Sequence, residues 1–175
     1  MILEMLNTKP MRSKLPLLLL LALLTSCTTT RYYFVRHAER LNNTADSPLS
    51  EFGFQRAQIL KDSMLHKHID EIYVSTYIRT QQTAQPLADA LSKQMIIYKP
   101  DTTAELAAAL KKINGKNLLL VGHSNTIPTL VGLLSGQSVQ IVDTHFDDLF
   151  IVKKRKTPFG QKVVLVRTTY GPPSP

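Results

Sequence analysis

The sequence predicts a three-layer α/β/α sandwich built on a mainly parallel sheet. Two patterns carry that expectation. Six short apolar runs rich in aromatic and β-branched residues, at 32–35, 71–74, 95–98, 118–121, 149–152 and 163–166, have the length and composition of buried strands. Most of them are separated by segments with helical spacing. Strand–helix–strand alternation needs crossover connections, hence parallel neighbours covered on both faces.

The elements follow in order. Ser50 offers a hydroxyl to cap a helix on which Gly53, Ala57, Leu60 and Met64 share one face. Thr80, Thr83, Ala84, Leu87, Ala88 and Leu91 repeat that spacing, with Pro86 expected to kink their helix without abolishing it. A third helix, 103–112, is rich in Ala and Leu and follows a capping threonine. A fourth begins near Ser124 or Asn125 and stops before Gly136. The last two strands are joined by residues 153–161, which contain Pro158 and Gly160 and are too few for a helical crossover, so a hairpin is expected. One domain over residues 31–170 with a tail at 171–175 accounts for all of this, with no internal repeat.

The N-terminal segment reads differently. Lys9, Arg12 and Lys14 precede an apolar run at 15–24, which leads into Leu24-Thr25-Ser26-Cys27. Basic region, apolar region and small-residue site form the layout of a secretory signal. A run of that length rises only about 15 Å as a helix, half of a hydrocarbon core of about 30 Å, so a permanent transmembrane helix is not expected. Cysteine directly after Leu-Thr-Ser resembles the bacterial lipobox. The resemblance implies a signal peptide at 1–26, a lipid on Cys27, a short tether at 27–30, and a place in the bacterial cell envelope outside the cytoplasm. An ordinary secretory signal with an incidental cysteine is the alternative, and Met11 is a second candidate for the start. Cys27 is the only cysteine, so no internal disulfide can form.

The whole chain carries a net charge of +8. Losing Lys9, Arg12, Lys14 and Glu4 with the signal leaves about +6. That balance suits phosphate esters, nucleic acid or an acidic membrane without choosing among them. Two smaller features carry little weight. His66 and His68 lack a nearby carboxylate or cysteine cluster and read as surface residues rather than a metal pair. The run Lys153-Lys154-Arg155-Lys156 reads as a solvated turn or as a contact for acidic lipid.

Three strands end in residues able to do chemistry. The first delivers Arg36 and His37, the second Ser75 with Arg79 on the following helical turn, and the third Gly122, His123 and Ser124. Ligands of open parallel sheets bind outside the carboxyl ends of the strands, so two histidines and two arginines are aimed at one edge.

These residues lie within a longer pattern. Arg36-His37-Ala38-Glu39 with Asn43, Pro48-Leu49-Ser50-Glu51-Phe52-Gly53 with Gln55 and Ala57, Ser75 with Arg79-Thr80-Gln81-Gln82-Thr83-Ala84, and Val121-Gly122-His123 together resemble the histidine phosphatase superfamily, which includes cofactor-dependent phosphoglycerate mutase. The pattern spans about residues 31–130. It departs at Ala38, where glycine is usual, and at Thr76-Tyr77, where Ser-Pro is common.

The resemblance implies a phosphoglycerate mutase-like fold of the short phosphohistidine-phosphatase type. It also implies a histidine acid-type phosphatase, a phosphoric ester hydrolase working through a phosphohistidine at His37. Arg36, Arg79 and His123 would form the phosphate pocket, and Asn43 would touch the phosphoryl group. Nearby cations disfavour the protonated ring and so keep His37 nucleophilic, while the same arginines grip phosphate oxygens. Neither metal nor cofactor is required. The general acid is assigned to Glu105, ahead of Asp101 and Glu39. A phosphorylated small molecule or phosphoprotein is the expected partner, together with a membrane through the anchor, and no nucleic acid. A phosphomutase and a phosphate-binding protein without turnover stay open as alternatives.

Overall fold

The computed structural model describes residues 27–174, so the expected signal at 1–26 lies outside the described residues. A six-stranded sheet is assembled from β1 (Thr28–Arg36), β2 (Glu71–Ser75), β3 (Met95–Tyr98), β4 (Asn117–Gly122), β5 (Asp148–Thr157) and β6 (Gly160–Thr169), in the spatial order β3-β2-β4-β1-β5-β6. The first four strands run parallel, whereas β5 is antiparallel to β1 and β6 to β5. The sandwich expected from the sequence is therefore present, on a mixed sheet.

Alternation along the strands divides the core in two. Tyr33 and Val35 of β1, Ile72 and Val74 of β2, and Leu119 and Val121 of β4 face α1 (Glu51–Met64) and α2 (Ile78–Leu91). Tyr32, Phe34, Leu118 and Leu120 face α3 (Thr103–Lys112) and α4 (Thr126–Ser135) on the other side. Both residue sets are apolar because every central strand is buried on two faces. β1 and β4 are neighbours, yet the helices that follow them lie on opposite faces. A crevice opens where the winding reverses in this way, outside the carboxyl ends of β1 and β4.

The helix expectations hold on most of their named residues. The Ser50 hydroxyl accepts from the Gly53 amide at 3.1 Å, and Gly53, Ala57, Leu60 and Met64 are buried together. Gly53 is required by close approach: a Cβ there would lie 2.1 Å from the Glu39 carbonyl oxygen. Pro86 sits inside α2, and Gly136 closes α4 in the left-handed region with φ 73°. The third cap differs from expectation. Thr102 makes no cap bond, because its hydroxyl turns back to donate to the Lys99 carbonyl at 2.9 Å.

The chain ends and the hairpin also depart from the reading. Residues 28–30 continue β1 rather than forming a tether: Thr28, Thr29 and Thr30 pair with Lys156, Arg155 and Lys154, and the buried Thr30 hydroxyl accepts from the Gly115 amide at 2.9 Å. β-Branched threonines favour this extended backbone. Lys153 to Lys156 lie in β5 rather than in a turn, and the buried Lys154 ammonium donates to the Lys111 and Ile113 carbonyls at 2.7 and 2.6 Å. It thereby closes the carboxyl end of α3, where unpaired carbonyls favour a cation. The tail is docked: Arg56 donates to the Pro172 carbonyl at 3.0 Å, and the Ser174 hydroxyl donates to Asp147 at 2.6 Å.

Candidate active site

The crevice is a cavity of about 570 Å³ lined by Arg36, His37, Tyr77, Arg79, His123 and Phe146, with Arg40, Pro100, Ser124, Asn125 and Asp143 around them. Parallel pairing of β1 with β4 sets Arg36 beside Gly122. The His37 amide donates to the Gly122 carbonyl at 2.9 Å, and the two imidazole rings lie 5.4 Å apart edge to face. A side chain at Gly122 would force its neighbours to shift, since a Cβ would meet the Tyr98 hydroxyl at 2.6 Å and the Thr126 hydroxyl at 2.8 Å.

The hydrogen bonds fix both tautomers. His37 Nδ1 lies 2.8 Å from the Ala38 carbonyl oxygen, which can only accept, so Nδ1 carries the proton. In the neutral ring, Nε2 then keeps its lone pair. His123 Nδ1 lies 3.2 Å from an Arg79 terminal nitrogen, which can only donate, so its proton sits on Nε2 and is given to Ser75 Oγ at 2.8 Å. Ser75 in turn meets Thr80 Oγ1 at 2.9 Å, and that hydroxyl donates to the Tyr77 carbonyl at 2.8 Å. Burial, then the Arg36 and Arg79 cations, push His37 down to about 3, against the raising effect of its bond to Ala38. Burial and the same arginines push His123 down to about 4. Both rings are neutral at pH 7.

The arginines are held rather than free. Arg36 donates through one terminal nitrogen to the Val142 and Asp143 carbonyls at 3.2 and 2.6 Å, and Arg79 donates to the Ala45 carbonyl at 2.8 Å. Their guanidinium carbons sit 4.4 Å from the ring centres of Phe146 and Tyr77 respectively. Within each, Nε is buried without a hydrogen-bond partner. A buried donor left unpaired costs about 1–3 kcal/mol, and an anion oxygen in the cavity is the acceptor that would relieve it.

Arg36, His37, Arg79 and His123 are thus brought together as the sequence predicts. Other expected site residues are placed elsewhere. Glu105 is exposed and outside the cavity lining: Thr103 is the buried residue of its turn, and two positions along a helix rotate a side chain by about 200°, out to solvent. Asp101 lines a separate shallow groove with Thr76 and Lys99, and Glu39 is engaged by Arg56 at 2.7 Å. Asn43 is exposed, while its neighbour Asn42 accepts from the Thr44 amide at 3.0 Å and shapes that loop. His66 and His68 are exposed, as expected. Cys27 is exposed at the start of β1.

Tyr77, Phe146 and Asp143 were not readable as site residues. Tyr77 stands where the family pattern departs, so the departure itself was the available signal. Phe146 and Asp143 come from the aperiodic stretch between α4 and β5, which offers no pattern to place them.

The crevice lies at a switch point of an α/β sandwich and sets two buried arginines around two histidines. Residues 32–103 match the family described as Histidine phosphatase superfamily (branch 1). The Yersinia pestis (strain Pestoides F) protein named "Probable phosphoglycerate mutase GpmB" is 39% identical over 71 residues, covering 37% of this chain and 33% of that protein. The chain spans about a third of the length of such curated relatives. Among solved structures, the protein histidine phosphatase SixA complexed with tungstate is similar at TM-score 0.57 and 16% identity, over 79% of this chain and 96% of that one. Mycobacterial hydrolase 2 is similar at TM-score 0.65 and 13% identity, over 79% and 89%. Residues 32–103 are thus similar in sequence to that superfamily, and the fold of the chain is shared with these solved structures.

Proposed function

We propose that this chain is a phosphatase that moves a phosphoryl group onto His37 Nε2 and then to water, and that it is held at a bacterial membrane by a lipid on Cys27. One observation carries the reaction: the His37 Nδ1 bond to Ala38 leaves the Nε2 lone pair free in a pocket flanked by two buried arginines. In the first step the lone pair attacks phosphorus as the bond to the leaving group breaks. In the second, water attacks the phosphohistidine, the N–P bond breaks, and its electron pair returns to Nε2 while the water's proton passes to solvent. Arg36 and Arg79 neutralise the phosphoryl oxygens in both steps, and His123 is oriented beside them by Arg79 and Ser75.

Among the described residues the cavity lining offers one carboxylate, Asp143, which is 86% exposed and 3.6 Å from Arg36. The reading therefore favours leaving groups that need no proton from the enzyme, such as aryl or acyl phosphates and phosphoramidates already protonated on the leaving nitrogen. The similarity to the protein histidine phosphatase SixA is in keeping with that chemistry. The test is to trap labelled enzyme under alkaline denaturing conditions, because a phosphohistidine is acid-labile. Label at His37 together with release of inorganic phosphate supports the reading. Label elsewhere, or return of the phosphoryl group to a second position on the substrate, refutes hydrolysis through His37.

A further inference from the structure

The antiparallel edge of the sheet carries a surface that the pocket chemistry does not use. The β5–β6 hairpin has one acidic residue, Asp148 at its start, and none from Leu149 to Tyr170, while it carries Lys153, Lys154, Arg155, Lys156, Lys162 and Arg167. Lys154 is buried in its structural role, but Lys153, Arg155, Lys156 and Lys162 are exposed, and among the described residues none of these four makes an ion pair. Arg155 stands directly opposite Lys162 across the hairpin. Like charges in that position destabilise a sheet, so the pair works against the fold unless an anion lies between them. At the tip beside this pair, Phe159 is 93% exposed. A large ring in water at a cationic tip is the composition of a surface that enters the boundary between lipid head groups and chains.

The topology gives this surface a direction. Thr28 pairs with Lys156, so Cys27 leaves the domain beside the basic tip. His37 follows the other end of β1, roughly 26 Å away at about 3.3 Å per residue. We propose that the hairpin tip, through Arg155, Lys162 and Phe159, docks on an anionic phospholipid surface and holds the domain with its pocket turned away from that membrane. A lipid on Cys27 would supply attachment and the tip would supply orientation. The inference rests on the membrane reading above only for the anchor, and its test is run without one.

Full-length chain carrying Cys27→Ser is sedimented with vesicles of phosphatidylcholine alone, or of phosphatidylcholine with an equal share of phosphatidylglycerol. Residues 15–24 are present in every variant, so any binding that they cause appears equally in all samples and on neutral vesicles. The anionic vesicles should be preferred, with the preference lost at high salt. Arg155→Gln with Lys162→Gln should weaken that binding about 25-fold, at about fivefold per cation. Phe159→Ser should weaken it several-fold at any salt concentration. Binding to anionic vesicles that is indifferent to the double substitution overturns the proposal. So does preferential binding of a single-stranded oligonucleotide through the same two cations. Turnover of a chromogenic phosphate ester is read on the same samples: its absence counts against the proposed reaction alone, while cation-independent sedimentation counts against this surface alone.

Discussion

The two ends of β1 both gather cations, in opposite physical states. At the carboxyl end Arg36 and Arg79 are only 5% and 9% exposed, their terminal nitrogens held by backbone carbonyls, and each keeps one unpaired donor. At the amino end Arg155 and Lys162 are exposed and make no ion pair among the described residues. Buried, prepositioned cations act on one anion of fitting shape and are screened little by salt. Exposed ones act as a diffuse field that falls off within about 8 Å at physiological ionic strength. The same residue types are therefore suited to different purposes according to burial, and substitutions should separate the two ends.

The largest effect is expected at the proposed nucleophile. His37→Ala removes the only Nε2 lone pair freed by a bond such as that to Ala38, so turnover should fall by more than about 10⁴-fold, with no alkali-stable label on the protein. Tungstate or phosphate should still bind, measured by the rise in melting temperature, because both arginines remain. Arg79→Ala comes next. It removes one proposed phosphate contact and also the donor that orients His123, so kcat/KM should drop about a hundred- to thousandfold. If either substitution is no more costly than one at the hairpin, the distinction between the two ends fails.

The pH response sharpens it further. Burial, helped by the cations, holds His37 near 3 and His123 near 4, whereas an unfolded chain protonates histidine near 6.5. Below about 6.5 the unfolded state therefore takes up protons that the native state refuses. Stability is complete above that pH and falls as the pH drops toward 4. The melting temperature should decline between pH 6.5 and 5, a window above the ordinary carboxylate range, and His37→Gln should flatten part of the slope. A melting temperature that rises on acidification through that window would contradict buried, neutral histidines. With a good leaving group, turnover should not be limited by protonation of His37 anywhere between pH 7 and 5.

How much of this was legible depends on whether a residue acts through its own element or through another. Apolar runs and cap residues declared the strands and helices, because burial on two faces imposes composition locally: Tyr32 to Val35 could be little else. Arg36, His37, Arg79 and His123 were legible because strand ends of a parallel sheet converge. Phe146 was not. It reaches the pocket through a loop fixed by Arg36 from β1 and by Ser174 from the tail, whose hydroxyl accepts from the Phe146 amide at 2.7 Å. Long-range constraints of that kind leave no periodic trace. Lys154 misled for a related reason, since only the approach of the carboxyl end of α3 to its ammonium turns one lysine of a basic run into a buried cap.

The smallest effect is expected at Glu105, and it tests the opposite side of the comparison: a charge near the site in sequence but outside it in space. A general acid typically contributes 10²- to 10⁴-fold and matters most for poor leaving groups, which need a proton in the transition state. Glu105 is exposed, two residues past the buried Thr103, and does not line the cavity. Glu105→Gln should therefore change turnover of an alkyl and a nitrophenyl phosphate by less than about twofold each, leaving their ratio intact. Asp143→Asn should also preserve that ratio, because its carboxylate faces solvent beside Arg36 rather than a leaving group. A tenfold selective loss on the alkyl ester in the Glu105 variant would mean that the first turn of α3 swings into the pocket when substrate binds. The acid would then be Glu105 after all, and the preference for readily departing groups would have to be given up.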